Sequence, residues 1–206
     1  KMSEQMNIFR EKHTYTMTSL YIMTFGTFSG LAAAFPILIK NQYGDFAAAP
    51  DPLTYAFIGP LVGSLARILA GPVSDKIGGA RITSIAGIGT AICALLVSLW
   101  VKPDSISDFT PFVIVMVGVF FFAGIGNAST FKQIPMLFTA RIAAGVIGWT
   151  AAIAAYGPFI FSVLISLCAS AFGSPAYFFY GLAVFCLANV GLNWFYFDRP
   201  NAPNPC

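Results

Sequence analysis

Apolar residues run along the chain in six long blocks, roughly 18–39, 53–73, 82–101, 111–134, 142–166 and 175–197, separated by short polar or Pro/Gly-rich stretches. A helix needs about 20 such residues to cross a hydrocarbon core. The pattern therefore predicts an all-α membrane protein, a six-transmembrane-helix bundle. The linker over 40–52, KNQYGDFAAAPDP, gathers prolines, a glycine and aspartates, all of which favour turns over helix. Around the membrane domain, 18–197, the pattern predicts a cytoplasmic lead-in over 1–17 and a cytoplasmic tail over 198–206.

Composition strengthens the membrane reading. The chain is 57% hydrophobic and 9% charged, whereas a soluble domain carries about a quarter charged residues. The first apolar block is too long for a cleaved signal peptide, and no A-x-A-like site before a soluble domain follows it. The chain starts at Lys1, and its polar, partly basic opening through Lys12 reads as the internal start of a longer protein. Cys93, Cys168, Cys186 and Cys206 show no metal-like or CxxC spacing. His13, beside Glu11 and Lys12 in a polar stretch, reads as a surface histidine. No nucleophile, acid/base pair or metal cluster falls within the spans, so the sequence implies no enzyme, no cofactor, no metal and no nucleic-acid partner.

Charge sets an expected orientation, because cytoplasmic loops retain Lys and Arg. Lys1, Arg10, Lys12, Lys76, Arg81, Arg141 and Arg199 fall on one side of the predicted spans, and Lys40 and Lys102 on the other. Both termini are expected in the cytoplasm. Arg67 and Lys132 fall within predicted helices.

Arg67 is the residue with the strongest chemical demand. An arginine at membrane depth costs about 2.5–3.5 kcal/mol even on an insertion scale, and such residues usually face a bundle interior or a watery cavity. At about 1.5 Å per residue, Arg67 sits about 6 Å to the cytoplasmic side of the middle of its helix. Glu4, Glu11, Asp45, Asp51, Asp75, Asp104, Asp108 and Asp198 all fall outside the predicted spans. A mobile anion would supply the missing partner, since a planar guanidinium offers paired donors to a planar oxyanion; backbone carbonyls satisfying a structural arginine are the alternative. Tyr21, Phe25 and Phe28 form an aromatic stripe in the first helix, at a depth where Tyr21 and Phe25 would wall the same site.

The fourth block ends in GIGNASTFKQIP, residues 124–135, where small residues and hydrogen-bonding groups, Asn127 among them, replace bulky apolar ones. Lys132 near its end either snorkels to the interface or draws anions into the inner vestibule. Gly145, Gly148 and Gly157 give the fifth helix a small-residue face suited to packing or to close approach of substrate. Spacings such as Gly26/Gly30 and Gly59/Gly63 allow close helix contacts. Between the second and third helices, GPVSDKIGGAR (71–81) places Gly71, Asp75, Gly78 and Arg81 in a G-x-x-x-D-x-x-G-x-x-R pattern. This predicts a tight cytoplasmic turn with a conformational role, Asp75 facing Arg81 or a helix N-terminus.

That loop resembles the one joining helices in each half of the major facilitator superfamily, and six helices equal one half of that fold. YIMTFGTFSG (21–30), FIGPLVGSLARILAGPVSDKIGGARIT (57–83) and GIGNASTFKQIP together resemble the C-terminal half of the nitrate/nitrite porters. The resemblance implies one half of a major facilitator superfamily transporter, residing in the bacterial inner membrane and working by alternating access. It implies nitrate and nitrite anions as substrates, with Arg67, Tyr21, Phe25, Asn127 and Gly148 at the site. The implied partners are the lipid bilayer and a missing N-terminal six-helix half that supplies a second arginine. The fifth helix, GWTAAIAAYGPFIF (148–161), keeps Gly148 and Gly157 of the family's glycine-rich signature but has alanines at 154 and 155. Nitrate/nitrite exchange is the expected mode, proton-coupled nitrate uptake the alternative, and a non-transporting receptor or assembly subunit the reading from another class.

Overall fold

The computed structural model describes residues 6–206; Lys1 and Glu4 lie outside the described residues. Among the described residues, six helices are long and apolar enough to cross a membrane: α1 (Lys12–Tyr43), α2 (Pro52–Ile77), α3 (Gly79–Trp100), α4 (Ile106–Leu137), α5 (Ala140–Phe172) and α6 (Ala176–Asp198). No strand occurs among the described residues. Each helix covers its predicted block to within a residue, and most run further. Asp75 and Asp198, placed outside the spans by hydropathy, lie in the last turns of α2 and α6. Residues 12–17 of the expected lead-in are likewise helical, preceded by a single 3₁₀ turn over Met6–Arg10.

Local chemistry explains the boundaries. Asp51 caps α2 by accepting the Leu53 N–H at 3.0 Å, with Pro52 at the first helical position, where its missing N–H costs nothing. Gly78 alone separates α2 from α3. Its φ of 104° lies where a side chain is strained, so this one-residue corner needs glycine. Two helices are interrupted. In α1 the segment Ile22–Gly26 takes a wider π turn, and α5 stops at Ala154 and resumes at Gly157. Pro158 has no N–H to give the Ala154 carbonyl, which accounts for the second break.

Burial orders the helices. The apolar windows of α1 and α3 are 56% and 61% buried, those of α2 and α5 only 22%. The last two therefore form the margins of this six-helix unit and expose Leu61, Leu65 and Ile68, and Phe159, Val163 and Leu167. Between α1 and α4 runs a ladder of rings: Phe28 and Phe35 flank Phe120 at 6.2 and 5.8 Å, and Phe112 lies 6.0 Å from Phe35 and 5.3 Å from Tyr43. The Tyr43 hydroxyl closes the ladder by hydrogen bonding to the Trp100 and Asp108 carbonyls.

At the opposite end, beside the α2–α3 corner, polar side chains tie the helices together. Asn193 donates to the Ala80 carbonyl at 2.7 Å and to Ser84 at 2.8 Å, and Ser84 donates to Asp198 at 3.0 Å. Gln133 donates to Thr83 at 2.6 Å, and Thr83 pairs with Ser129 at 2.7 Å. The residues after α6 fold back onto this end. Asn204 shares a 2.9 Å hydrogen bond with His13, and the Cys206 carbonyl accepts the Ala80 N–H at 3.0 Å. Burial, reinforced by the Asp198 charge, pushes the Cys206 thiol up to about 12. His13 is accordingly not the free surface histidine expected from its polar neighbours: the Tyr196 and Phe197 rings stand 5.5 and 5.4 Å from it.

Candidate anion-binding site

Three helices meet around Arg67. It projects from α2 and is exposed in this six-helix unit, so of the two settings expected for such a charge, a bundle interior or a watery cavity, it does not take the first among the described residues. Its guanidinium carbon stands 5.7 Å from the centre of the Phe131 ring on α4. Phe131 in turn meets Tyr21 of α1 edge to face at 5.1 Å, and Tyr21 stacks on Phe25 at 5.3 Å with the ring planes only 14° apart. Phe25 continues to Phe28 at 6.3 Å. A cation thus sits at the edge of a contiguous aromatic wall, with Tyr21 held at 3% exposure by the packing of α1 against α4.

The local backbone of α1 helps set this wall. Phe25 lies inside the π turn, and such turns recur at functional sites because the extra residue re-aims side chains. Thr24, on the same turn, pairs with Thr130 of α4 at 3.3 Å, and Thr130 donates to the Gly126 carbonyl at 2.8 Å. A methyl group on Gly126 would strike Thr24, so the small residue at 126 is what lets α1 and α4 close at this level.

Electrostatically the site is one-sided. Among the described residues no carboxylate lies within ion-pair reach of Arg67. Asp75 pairs instead with Lys132, both side chains half exposed. This corrects one expectation. Asp75 does not face Arg81, because α2 stays helical through Ile77 and turns Asp75 toward α4. Lys132, half exposed near the end of α4, is the partner it meets there.

The expected site residues therefore separate. Arg67, Tyr21 and Phe25 come together around Phe131. Asn127, one turn before Phe131 on α4, is 2% exposed and leaves its Oδ1 without a partner. Gly148 is exposed, and a Cβ added there would meet nothing within 4 Å, so no side chain of the aromatic wall touches that face. Gly157, beyond the α5 break, packs against the Gly26 carbonyl and Ser29 of α1. Phe131 was missed as a site residue; its signal was a lone aromatic among the small and polar residues of GIGNASTFKQIP.

Six helices long and apolar enough to cross a membrane, with a cation beside an aromatic wall, describe a polytopic membrane unit. The model of the Major Facilitator Superfamily matches residues 17–205, and the chain belongs to that family. It is 59% identical over 203 residues to the probable nitrate/nitrite antiporter NarK2 of Thermus thermophilus, covering 98% of this chain and 46% of that protein. It is 31% identical over 219 residues to the nitrate/nitrite transporter NarU of Salmonella typhimurium, covering 96% and 46%. The nitrite extrusion protein of Bacillus subtilis is 27% identical over 195 residues, covering 93% and 47%. The chain spans about half the length of these curated relatives.

Proposed function

We propose that this chain is the C-terminal six-helix half of an inner-membrane carrier that exchanges nitrate for nitrite by alternating access. The observation that carries the reading is the Arg67 guanidinium, without a carboxylate partner and set 5.7 Å over Phe131 beside Tyr21. The names of the relatives NarK2, NarU and the nitrite extrusion protein support the choice of substrate.

The chemistry follows from shape and charge. Nitrate and nitrite are flat, singly charged oxyanions, and two parallel N–H groups of Arg67 match two of their oxygens. The rings of Tyr21, Phe25 and Phe131 confine the anion edgewise and keep bulk water away, which strengthens the charge-assisted hydrogen bonds. Asn127 supplies an amide on the neighbouring turn. The exposed margins α2 and α5 meet the other six-helix half, which brings a second arginine and completes the site between the two units. Gly148 lines the path on α5, and the Gly71–Arg81 corner, held by Asp75 and Lys132, couples helix movement to site opening. Both ends of this half face the cytoplasm, in keeping with the distribution of Lys and Arg.

A site that keeps its positive charge is best returned across the membrane with another anion in it, which favours exchange. Proteoliposomes containing the full-length parent test this. With internal nitrite and no proton gradient, external nitrate is taken up in a saturable manner. Uptake that needs a proton gradient and ignores internal nitrite would replace exchange with proton-coupled import.

A further inference from the structure

Arg67 projects from α2 one turn beyond Gly63, and the position of Gly63 is set by unusually close contacts. A Cβ built on Gly124 of α4 would strike the Gly63 carbonyl and its Cα, so the two helices touch backbone to backbone at this level. A Cβ built on Gly63 would fall on the Phe28 ring, 2.8 Å from Cδ2 and closer still to Cε2, and 3.0 Å from the Phe120 carbonyl. The Phe28 ring therefore occupies the space where any other residue at 63 would carry its side chain. Phe28 is also the far end of the aromatic wall, next to Phe25.

We infer that Gly63 is a positioning residue for the anion site: it seats Phe28 on bare backbone and holds α2 against Gly124, so that Arg67 stands at its working distance from Phe131. The inference rests on the proposed reading of Arg67 as the anion's ligand. The geometry is that of a crossing point and its two arms. Gly63 and Gly124 are the crossing; Arg67 lies one turn past it on α2 and Phe131 two turns past it on α4, at the same end. A methyl group at 63 must displace either the Phe28 ring or α2 itself. Either shift changes the spacing of the guanidinium and the rings, and misplacement of a binding group on the ångström scale has large consequences for ligand handling. A methyl group at 124 meets backbone alone, so no side chain can yield to relieve it.

The test uses the full-length parent in proteoliposomes, with KM and kcat for nitrate exchange measured beside the thermal shift that nitrate induces. Gly63→Ala is expected to raise KM about tenfold while kcat stays within about twofold, the signature of lost binding in ground and transition state alike. In a Phe28→Leu background the same substitution costs far less, because the ring it strikes is gone. Gly124→Ala is expected to be harmful with or without Phe28→Leu. Equal KM penalties for Gly63→Ala in the two backgrounds would overturn the inference. So would a Gly63→Ala protein that is scarce or heat-labile but whose folded fraction binds nitrate normally, since that describes packing alone. Wild-type protein that neither exchanges nor is stabilised by nitrate would instead sink the functional reading on which the inference rests.

Discussion

The guanidinium of Arg67 on α2 faces the ring of Phe131 on α4 at 5.7 Å, and Tyr21 of α1 meets the same ring edge-on at 5.1 Å. One phenyl ring thus joins the three helices that carry the charge and the aromatic wall. Phe131 holds Arg67 without neutralising it, which leaves the charge available to an anion.

Replacing that ring has a bounded cost. A cation over an aromatic face contributes about 0.5–1 kcal/mol at an exposed site and about 2 kcal/mol when desolvated. Phe131→Ala should therefore raise the KM for nitrate by between about twofold and thirtyfold, whereas Phe131→Tyr, which keeps the face, should stay near wild type. Exchange kinetics of the three proteins at matched reconstitution check this.

The ion pair between Asp75 and Lys132 tests a different link. Both partners are half exposed, so its contribution to stability is small, about 0–1 kcal/mol. Asp75→Asn should leave the melting temperature almost unchanged while altering the balance between inward- and outward-open states. That balance is read from the accessibility of single cysteines placed at the two mouths of the carrier. The charge-reversed pair Asp75→Lys with Lys132→Asp should restore the wild-type balance. Identical accessibility in all three proteins would remove the conformational role.

At the α2–α3 corner the backbone itself is the constraint. Gly78 has a φ of 104°, and a Cβ at such a position destabilises by more than about 1 kcal/mol. Gly78→Ala should lower thermal stability, and Gly71→Ala should not, because Gly71 is helical and a Cβ there would meet nothing within 4 Å. Thermal unfolding of the detergent-solubilised variants gives the comparison.

Much of this architecture was legible in the sequence because bilayer physics is blunt. A block of apolar residues long enough to cross becomes a helix, and all six did. The grouping of Arg67 with Tyr21 and Phe25 was legible for a related reason: a charge in an apolar block is rare, and ring spacing along one helix is periodic. Relations between helices were not legible. That Asp75 reaches Lys132 rather than Arg81 depends on how α2 is rotated against α4, which hydropathy does not encode. Phe131 was hidden for the same reason, as one phenylalanine among 21. The π turn at Ile22–Gly26 carries no compositional signal, whereas the α5 break had one in Pro158, masked by the continuous apolar run through it.

In the proposed site Arg67 holds the anion. The direct measurement is nitrite-loaded exchange of external nitrate by the full-length parent and by Arg67→Lys, at equal reconstitution. Lysine keeps the positive charge and loses the planar fork. Saturable exchange that collapses in Arg67→Lys is the result expected if the guanidinium is the ligand; exchange with unchanged KM and rate in the lysine protein would show that Arg67 only holds helices together.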